Sequence, residues 1–267
     1  MTATLTRALV LRTAGTNCDR ETVLALERAG AAVELLHLNV LLAEPARLDD
    51  FHILVLPGGF SYGDYVAAGR ILGLELRHHL SQTLRDFAER GGFALGVCNG
   101  FQVLVETGLL MPEEPIDQRS IALTGNEADR FECRWVTLRS EECACPWIEP
   151  GEIWPAPVAH AEGRLVVRDA ATLETLRRRG QIALRYVRPD GSAASYPDCP
   201  NGSVEQIAGL CDPTGRIFGL MPHPERNIDP WNHPHWTRLG ARDEGEGLAF
   251  YRRMVRAAHD WIQTPVV

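Results

Sequence analysis

Residues 91–104 read GGFALGVCNGFQVL, and the order of residue types in this stretch predicts a strand, a sharp turn and a helix. Residues 93–97 are all apolar or glycine, which is typical of a strand buried on both faces. The strand ends at Cys98, and a new apolar pattern begins at Phe101 and continues to a stop at Gly108. A buried strand that passes directly into a helix is the repeating unit of a parallel α/β sheet.

The same alternation of strand and helix patterns continues on both sides of this stretch. In the first half we predict strands over 8–11, 32–38 and 52–56, a helix over 19–29 that Asp19 caps, and a helix over 72–84 with a leucine at every fourth position. In the second half we predict strands over 131–138, 153–159, 164–167, 182–187, 204–210 and 216–220, and a closing helix over 248–262 whose inner face carries Leu248, Tyr251, Val255 and Trp261.

Together these patterns predict an α/β fold. We expect an open, mostly parallel sheet with helices on both faces, right-handed crossovers and extra strands in the second half. The sequence shows no internal repeat, low-complexity tract or flexible linker, so residues 1–267 are predicted to form one domain.

The composition disfavours several classes of partner and location. The chain has 27 Lys and Arg against 35 Asp and Glu, a net charge of -8, whereas nucleic-acid or anionic membrane surfaces require clustered basic side chains. No secretory signal pattern is present, and no apolar segment approaches the roughly 20 residues that span a bilayer. The 7 cysteines include no CxxC pair, so we expect reduced thiols in the cytoplasm, no membrane association and no nucleic-acid partner.

Two short motifs contain potential metal ligands. Cys143 and Cys145 lie close together, but no second pair has zinc-type spacing nearby, so we interpret them as structural or surface thiols. His233 and His235 project together if the chain is extended, yet the Pro- and Trp-rich stretch around them is more typical of a surface loop. We therefore predict no metal site in this chain.

Cys98 lies between Gly96 and Gly100, which is the arrangement of a nucleophile at a strand-to-helix turn. Such a turn is tight, and glycine is needed on both sides because other side chains would clash. The following helix directs its N-terminal N–H groups and its dipole at the thiol, which favours the thiolate. The N–H of Asn99 is placed to bind a developing oxyanion. A small buried cysteine in a glycine turn is the alternative that this stretch alone leaves open.

A second motif supplies the base that a thiol nucleophile requires. His223 and Glu225 follow the predicted strand 216–220, and alternate residues of an extended chain point to the same side. A histidine base needs an acceptor on its other ring nitrogen, which fixes its tautomer and orientation. We therefore predict a catalytic triad of Cys98, His223 and Glu225, with a solvated His and Glu on a surface loop as the alternative.

Three further residues are predicted to surround the thiol. Gly58 and Gly59 follow the strand 52–56, and a Gly-Gly turn lets backbone N–H groups approach a ligand, so Gly59 is predicted to supply the second oxyanion donor. No G-K-[ST] follows, which excludes a phosphate loop. Gln102 lies one helical turn after the nucleophile and is predicted to face the same crevice and contact the substrate.

These motifs resemble those of the class I (triad-type) glutamine amidotransferases. The general signals are PGG (57–59), GVCNGFQ (96–102) and HPE (223–225). A narrower resemblance, to the glutaminase subunits that serve a separate synthetase in purine biosynthesis, rests on GTNCD (15–19), GGFSYGDY (58–65), CNGFQ (98–102), RFECRWV (130–136), PVAHAEG (157–163), PNGS (200–203) and MPHPER (221–226). Ala161 stands where this family usually has Gly, and Cys199 stands where it usually has Asn.

The resemblance implies a flavodoxin-like fold and the hydrolysis of L-glutamine to glutamate and ammonia, which passes to a separate ATP-dependent synthetase. It also implies that His160 and Glu162 lie near the amino-acid end of the glutamine. The implied partners are a large synthetase subunit and a small accessory subunit. ATP and Mg²⁺ are expected to belong to the synthetase, because this chain contains no nucleotide-binding motif, and no cofactor is expected in this chain.

Alternative functions share the reactive cysteine. One is another triad glutamine amidotransferase, and a second is an α/β-hydrolase with a thiol nucleophile. That hydrolase normally places its acid well before a lone histidine, whereas Glu225 follows His223 by two residues. A non-catalytic, redox-sensing protein with a similar cysteine turn would need neither Glu225 nor glutamine. Ammonia release from glutamine separates a glutamine amidotransferase from the hydrolase and from the non-catalytic protein.

Overall fold

The computed structural model describes residues 5–115 and 118–263, in which strands and helices alternate through the first half. That half contains β1 (Arg7–Arg12), α1 (Asp19–Arg28), β2 (Ala32–His37), α2 (Leu38–Ala43), β3 (Ile53–Leu56), α3 (Arg70–His79), α4 (Ser81–Glu89), β4 (Phe93–Val97) and α5 (Asn99–Thr107). The second half contains β5 (Ile121–Thr124), β6 (Glu132–Ser140), β7 (Ile153–His160), β8 (Arg164–Val167), α6 (Ala170–Arg178), β9 (Ile182–Val187), β10 (Ile207–Cys211), β11 (Ile217–Leu220) and α7 (Glu246–Gln263).

Nine strands form one sheet in the order β2-β1-β3-β4-β11-β10-β9-β6-β7. The strands from β2 to β11 run parallel, and β10, β9, β6 and β7 extend the sheet in antiparallel fashion. Strands β5 and β8 form a separate antiparallel pair. The predicted α/β fold, mostly parallel with extra strands in the second half, is confirmed.

Helices cover both faces of the sheet. In the sheet, β2 lies on one side of β1, whereas β4 lies on the opposite side of β3. Right-handed crossovers within these two parallel pairs therefore place α1 and the α3–α4 segment on opposite faces of the sheet. Helix α7 packs against α1, and α5 packs against α3. Every residue of α5 is buried, as expected for a helix that other elements surround on all sides. No helix in the described part of the chain is long and apolar enough to cross a membrane.

Several details differ from the sequence prediction. The strand expected over 204–210 begins at Ile207, because Val204–Gln206 forms a turn of 3-10 helix. The helix expected over 72–84 is two helices, because Leu80 is non-helical with φ -124° and ψ 13°. Leucines spaced four apart drift by about 40° per step around a straight helix. The break at Leu80 keeps them facing the core, where Leu72, Leu76, Leu80 and Leu84 are all buried.

The ends of the first and last helices also differ from expectation. Asp19 is the first residue of α1, and Cys18 occupies the N-cap position that the sequence assigned to Asp19. Trp261 is not on the inner face of α7: it is 49% exposed, and the Arg216 guanidinium stacks on its ring at 4.6 Å. The last turn of α7 packs against Gly91, where a Cβ would lie 2.0 Å from the indole nitrogen.

Candidate active site

Three neighbouring parallel strands, β3, β4 and β11, end at the same edge of the sheet. Val97 pairs with Leu220 across β4 and β11, so the residues that follow the two strands start side by side. Gly58, Cys98 and His223 lie directly after these three strand ends. Ligands of open α/β sheets bind at this edge, outside the carboxyl ends of the strands.

The backbone at Cys98 has the tight geometry that its glycine neighbours predict. Cys98 has φ 52° and ψ -107°, a conformation that L residues rarely adopt. A Cβ on Gly96 would lie 2.4 Å from the Gly100 carbonyl oxygen, and a Cβ on Gly100 would lie 1.8 Å from the carbonyl oxygen of Leu56. Both positions therefore require glycine, and the turn presents the thiol at the start of α5.

His223 and Glu225 form a buried hydrogen-bonded pair. Nδ1 of His223 is 2.6 Å from Oε1 of Glu225. The backbone N–H of His223 donates to the Pro157 carbonyl oxygen at 2.8 Å. The two side chains do not meet by strand alternation, as the sequence suggested. Pro224–Arg226 forms a turn of 3-10 helix, and this turn folds Glu225 back beside the imidazole.

The surroundings of His223 favour its protonated form. Burial opposes a charge on the imidazole, but the interactions of the ring with Glu225, Cys98 and Cys18 outweigh burial and raise the pKa of His223 well above its usual value. Nε2 of His223 has no hydrogen-bond partner among the described residues, and Sγ of Cys98 lies 3.6 Å from the Ala159 carbonyl oxygen. Catalytic hydrogen bonds of this kind commonly tighten only when substrate binds.

A small cavity opens beside the thiol. The space in it that no atom fills is about 290 Å³, including its opening to solvent. Its lining residues come from the loop after β3, the turn at Cys98 and the end of β7: Gly59, Phe60, Asp64, Ala68, Cys98, Gln102, Ala159, His160, Ala161 and Glu162. Four larger surface clefts lie elsewhere on the described chain, and Cys98 lines none of these four.

The two residues predicted as oxyanion donors follow β3 and β4, and of the two only Gly59 lines the cavity. Gly59 lines the cavity with φ 144°, a conformation that favours glycine. Asn99 begins α5, and its side chain fastens the loop after β3 by accepting from the Ser61 N–H at 3.1 Å and donating to Asp64 at 3.2 Å. The Asn99 side chain therefore holds the two walls of the cavity together.

Gln102 and Gly58 have contacts that the sequence did not predict. The Gln102 amide accepts from Asn99 at 3.0 Å and donates to the Glu162 carbonyl oxygen at 2.5 Å, so it ties α5 to the cavity wall. Gly58 packs against the imidazole of His223, where a Cβ would lie 2.7 Å from Cε1. Gly58 thus makes room for the base and does not line the cavity.

His160 and Glu162, which only the family resemblance indicated, both line the cavity. The Glu162 carboxylate accepts from the Ala68 N–H at 3.1 Å. His160 is buried, and its Nδ1 is 3.1 Å from Oδ1 of Asn126. Burial and the charge of nearby His223 lower the pKa of His160 to about 4. His160 is therefore neutral at physiological pH, in contrast to His223.

The sequence interpretation gave no role to Cys18, Arg226 or Asn126, which the structure brings close to the candidate site. Sγ of Cys18 lies 3.9 Å from Nδ1 of His223 and accepts from the Arg226 guanidinium at 3.0 Å. Arg226 also donates to Glu21 at 2.7 Å. Cys18 and Arg226 occur in the motifs that carry the family resemblance, whereas no spacing rule points to Asn126.

Within residues 5–115 and 118–263, one group of three side chains has the spacing of metal ligands, namely Cys18, His223 and Glu225 within 4.8 Å of one another. Residues 143–145 and 233–235 belong to no such group. The hydrogen bond between His223 and Glu225 and the contact of Cys18 with His223 account for the grouping.

The fold and the arrangement of Cys98, His223 and Glu225 define a class of protein, the triad glutamine amidotransferases. The family model described as CobB/CobQ-like glutamine amidotransferase domain matches residues 5–262. The fold is also shared by the glutaminase domain of Trypanosoma brucei CTPS, with a TM-score of 0.55 at 16% identity over 99% of this chain and 96% of that one.

Closer relatives narrow the class. The chain is 43% identical to phosphoribosylformylglycinamidine synthase subunit PurQ of Dehalococcoides mccartyi, over 94% of this chain and 97% of that protein, and 43% identical to the PurQ subunit of Picrophilus torridus, over 92% and 96%. A chain in the structure of PurLQS from Thermotoga maritima superposes with a TM-score of 0.71 at 32% identity, over 95% of this chain and 99% of that one. The chain therefore belongs to the PurQ family of glutamine amidotransferase subunits.

Proposed function

We propose that this chain hydrolyses L-glutamine through the triad Cys98, His223 and Glu225 and passes the ammonia to a phosphoribosylformylglycinamidine synthetase subunit. The observation that carries the proposal is the thiol on a strained turn beside a small cavity, with a buried His–Glu pair from the adjacent strand end. A thiol α/β-hydrolase and a redox-sensing protein would share the cysteine turn but not the family to which this chain belongs.

The first half of the reaction is an acyl transfer. The Cys98 thiolate attacks the side-chain amide carbon of glutamine, a C–S bond forms, and the oxyanion accepts hydrogen bonds from the N–H groups of Asn99 and Gly59. His223 gives its proton to the amide nitrogen, the C–N bond breaks, and ammonia leaves a γ-glutamyl thioester. The raised pKa of His223 keeps that proton available.

The second half regenerates the thiolate. Neutral His223 takes a proton from water, the resulting hydroxide attacks the thioester, and the C–S bond breaks to release glutamate. Glu225 holds Nδ1 of His223 and stabilises its charged form in both halves.

The partners are proposed on the names of the relatives. A large synthetase subunit and a small accessory subunit would complete the complex, and ATP and Mg²⁺ would bind to the synthetase. We expect low glutaminase activity from the chain alone and a rise when these subunits bind. The cytoplasm is the proposed location.

Ammonia release from glutamine, measured with and without the co-purified synthetase subunits, tests the proposal. We expect C98A to lose activity by a factor on the order of 10³ or more in both conditions, since removal of a nucleophile abolishes the covalent route. C133A, which alters an exposed cysteine, is the matched control and should retain activity. Glutamine hydrolysis by C98A at the wild-type rate would refute the assignment of the nucleophile.

A further inference from the structure

Asn126 lies between β5 and β6, and its buried side-chain amide has only one workable orientation. Nδ2 donates to the carbonyl oxygens of Arg130 at 2.9 Å and His160 at 2.8 Å. If the amide were flipped, its oxygen would face these two carbonyl oxygens and its NH₂ would face the N–H of Gly163. The hydrogen-bond network therefore determines which side of Asn126 faces His160.

The oriented amide determines the tautomer of His160. Oδ1 of Asn126 accepts from the Gly163 N–H at 3.0 Å and lies 3.1 Å from Nδ1 of His160. An amide oxygen cannot donate, so Nδ1 must carry the proton. A Cβ on Gly163 would lie 2.4 Å from Nδ1, so glycine at this position lets the ring reach Asn126.

The other ring nitrogen of His160 is left as an acceptor. Because its pKa is lowered to about 4, His160 is neutral near pH 7, and Nε2 carries a lone pair. Nε2 is buried and has no hydrogen-bond partner among the described residues. His160 lines the cavity that contains Cys98 and Glu162. An unpartnered acceptor at a ligand cavity calls for an N–H donor from the ligand.

We propose that Asn126 is a positioning residue that holds His160 as the Nδ1–H tautomer, so that Nε2 accepts a hydrogen bond from an N–H group of bound glutamine. The proposal rests on the proposed function for its ligand. Glutamine offers two such donors, the carboxamide and the α-ammonium group, and glutamate retains only the second.

Several charged groups act on His160 and enter its pH dependence. His223 disfavours a second positive charge, and Glu132, which pairs with His160 across β6 and β7, favours it. Glu132 is itself neutralised by ion pairs with Arg130 and Arg134. From the cavity side, Cys98, Glu162 and Asp64 line the same space.

Nitrogen NMR of ¹⁵N-histidine-labelled protein tests the tautomer without any reaction. The full-length chain is used, and H160N identifies the His160 signals by their loss. We expect a protonated Nδ1 and an unprotonated Nε2 that remain unchanged between about pH 6 and pH 8. A protonated Nε2 in this range would overturn the proposal.

Glutamine affinity, measured by titration calorimetry in the C98A background, tests the role of Asn126. N126D places a carboxylate at Nδ1 of His160, which raises its pKa and converts Nε2 from an acceptor into a donor on acidification. With Asn126 in place, we expect the affinity for glutamine to be constant from about pH 8 to pH 6. In N126D, we expect this affinity to fall by about tenfold or more over the same pH range. An N126D variant with the unchanged pH profile would contradict the proposal.

N201D is the matched control for this experiment. Asn201 is also buried and donates to the Gly163 carbonyl oxygen at 2.7 Å, from the other side of the same loop. N201D therefore replaces an amide by a carboxylate at the loop that contains Gly163, as N126D does. Any loss of glutamine affinity in N201D should be independent of pH. Appearance of the same pH dependence in N201D would assign the effect to the loop and refute the role of Asn126.

H160N keeps the experiment decisive if N126D does not fold. An asparagine amide at this position can still donate to Asn126 but offers no acceptor at the place of Nε2. We expect its glutamine affinity to fall by about tenfold or more at every pH, and wild-type affinity would refute the acceptor. Failure of the proposed function would appear separately, as absence of ammonia release from a protein whose His160 still shows the predicted tautomer.

Discussion

At the scale of residues, the geometry of this site depends on positions that must be glycine as well as on the side chains of the candidate triad. The turn at Cys98 brings α5 so close to the end of β3 that Gly100 has no space for a methyl group. Gly58 similarly lets His223 approach the backbone. The candidate nucleophile and base are therefore positioned by the absence of neighbouring side chains as well as by their own hydrogen bonds.

G100A tests this steric requirement. Alanine normally stabilises a helix by about 1 kcal/mol relative to glycine, but here its Cβ would lie 1.8 Å from the Leu56 carbonyl oxygen. We expect G100A to lower the free energy of unfolding by about 1–3 kcal/mol and to reduce glutaminase activity. Urea unfolding provides the measurement, and G125A, with nothing within 4 Å of its added Cβ, is the control. Equal stability of G100A and wild type would contradict the crowded turn.

C18A tests the contact between a second buried thiol and the base. The hydrogen bond from the His223 ring to the Cys18 sulfur is among the interactions that raise the pKa of His223, so its removal should lower that pKa. NMR titration of the His223 ring protons measures the change, and the pH–rate profile of glutamine hydrolysis should move in the same direction. C211A removes another fully buried thiol, which lies beside the start of β11 and away from the site. Identical titrations of His223 in C18A and wild type would show that the contact is only structural.

At the scale of elements, the leucine stripe explains why one predicted helix became two. Residues 72–84 keep one apolar face, but a straight helix would turn that face away from the sheet. The non-helical backbone at Leu80 changes the direction of the helix axis, so that both α3 and α4 bury their leucines. Local periodicity predicted the elements, and the surface they pack against determined the break.

L76A measures how strongly this face holds α3 in place. Leu76 is fully buried, so we expect its truncation to lower the free energy of unfolding by about 2–5 kcal/mol through lost burial and a residual cavity. L24A removes the same atoms from an exposed position on α1 and should cost less than about 0.5 kcal/mol. Urea denaturation of both variants gives the comparison, and similar losses would contradict the assigned faces.

For the whole molecule, the two histidines of the candidate site, His160 and His223, have different charge states. His223 is stabilised as a cation by Glu225, whereas burial and that cation keep His160 neutral. Three strands separate β11 from β7 in the sheet, and the segment after β11 reaches β7 through the hydrogen bond from the His223 backbone N–H to the Pro157 carbonyl oxygen, so that both histidines reach one site. One can then supply a proton while the other accepts a hydrogen bond.

The neutral His160 links folding stability to pH. The pKa of His160 is about 4 in the folded protein against 6.5 for an unperturbed histidine, so between these pH values the unfolded chain binds a proton that the folded protein does not. Stability from this group is present above pH 6.5 and is lost as pH falls toward 4, by up to about 3 kcal/mol. The difference in unfolding free energy between wild type and H160Q should therefore shrink on acidification from about pH 7 to pH 5. A difference independent of pH would contradict the lowered pKa.

The sequence by itself determined the features that depend on neighbours along the chain. These are the strand, turn and helix around Cys98, the glycines that the turn requires, and the family motifs with His223 and Glu225. Only the tertiary structure decided which distant residues meet: Cys18 with His223, and Asn126 with His160, across separations of 205 and 34 residues. The physical reason is that steric demands of a turn are local and can be predicted from residue types. Hydrogen bonds between separate elements depend on how the whole sheet brings them together.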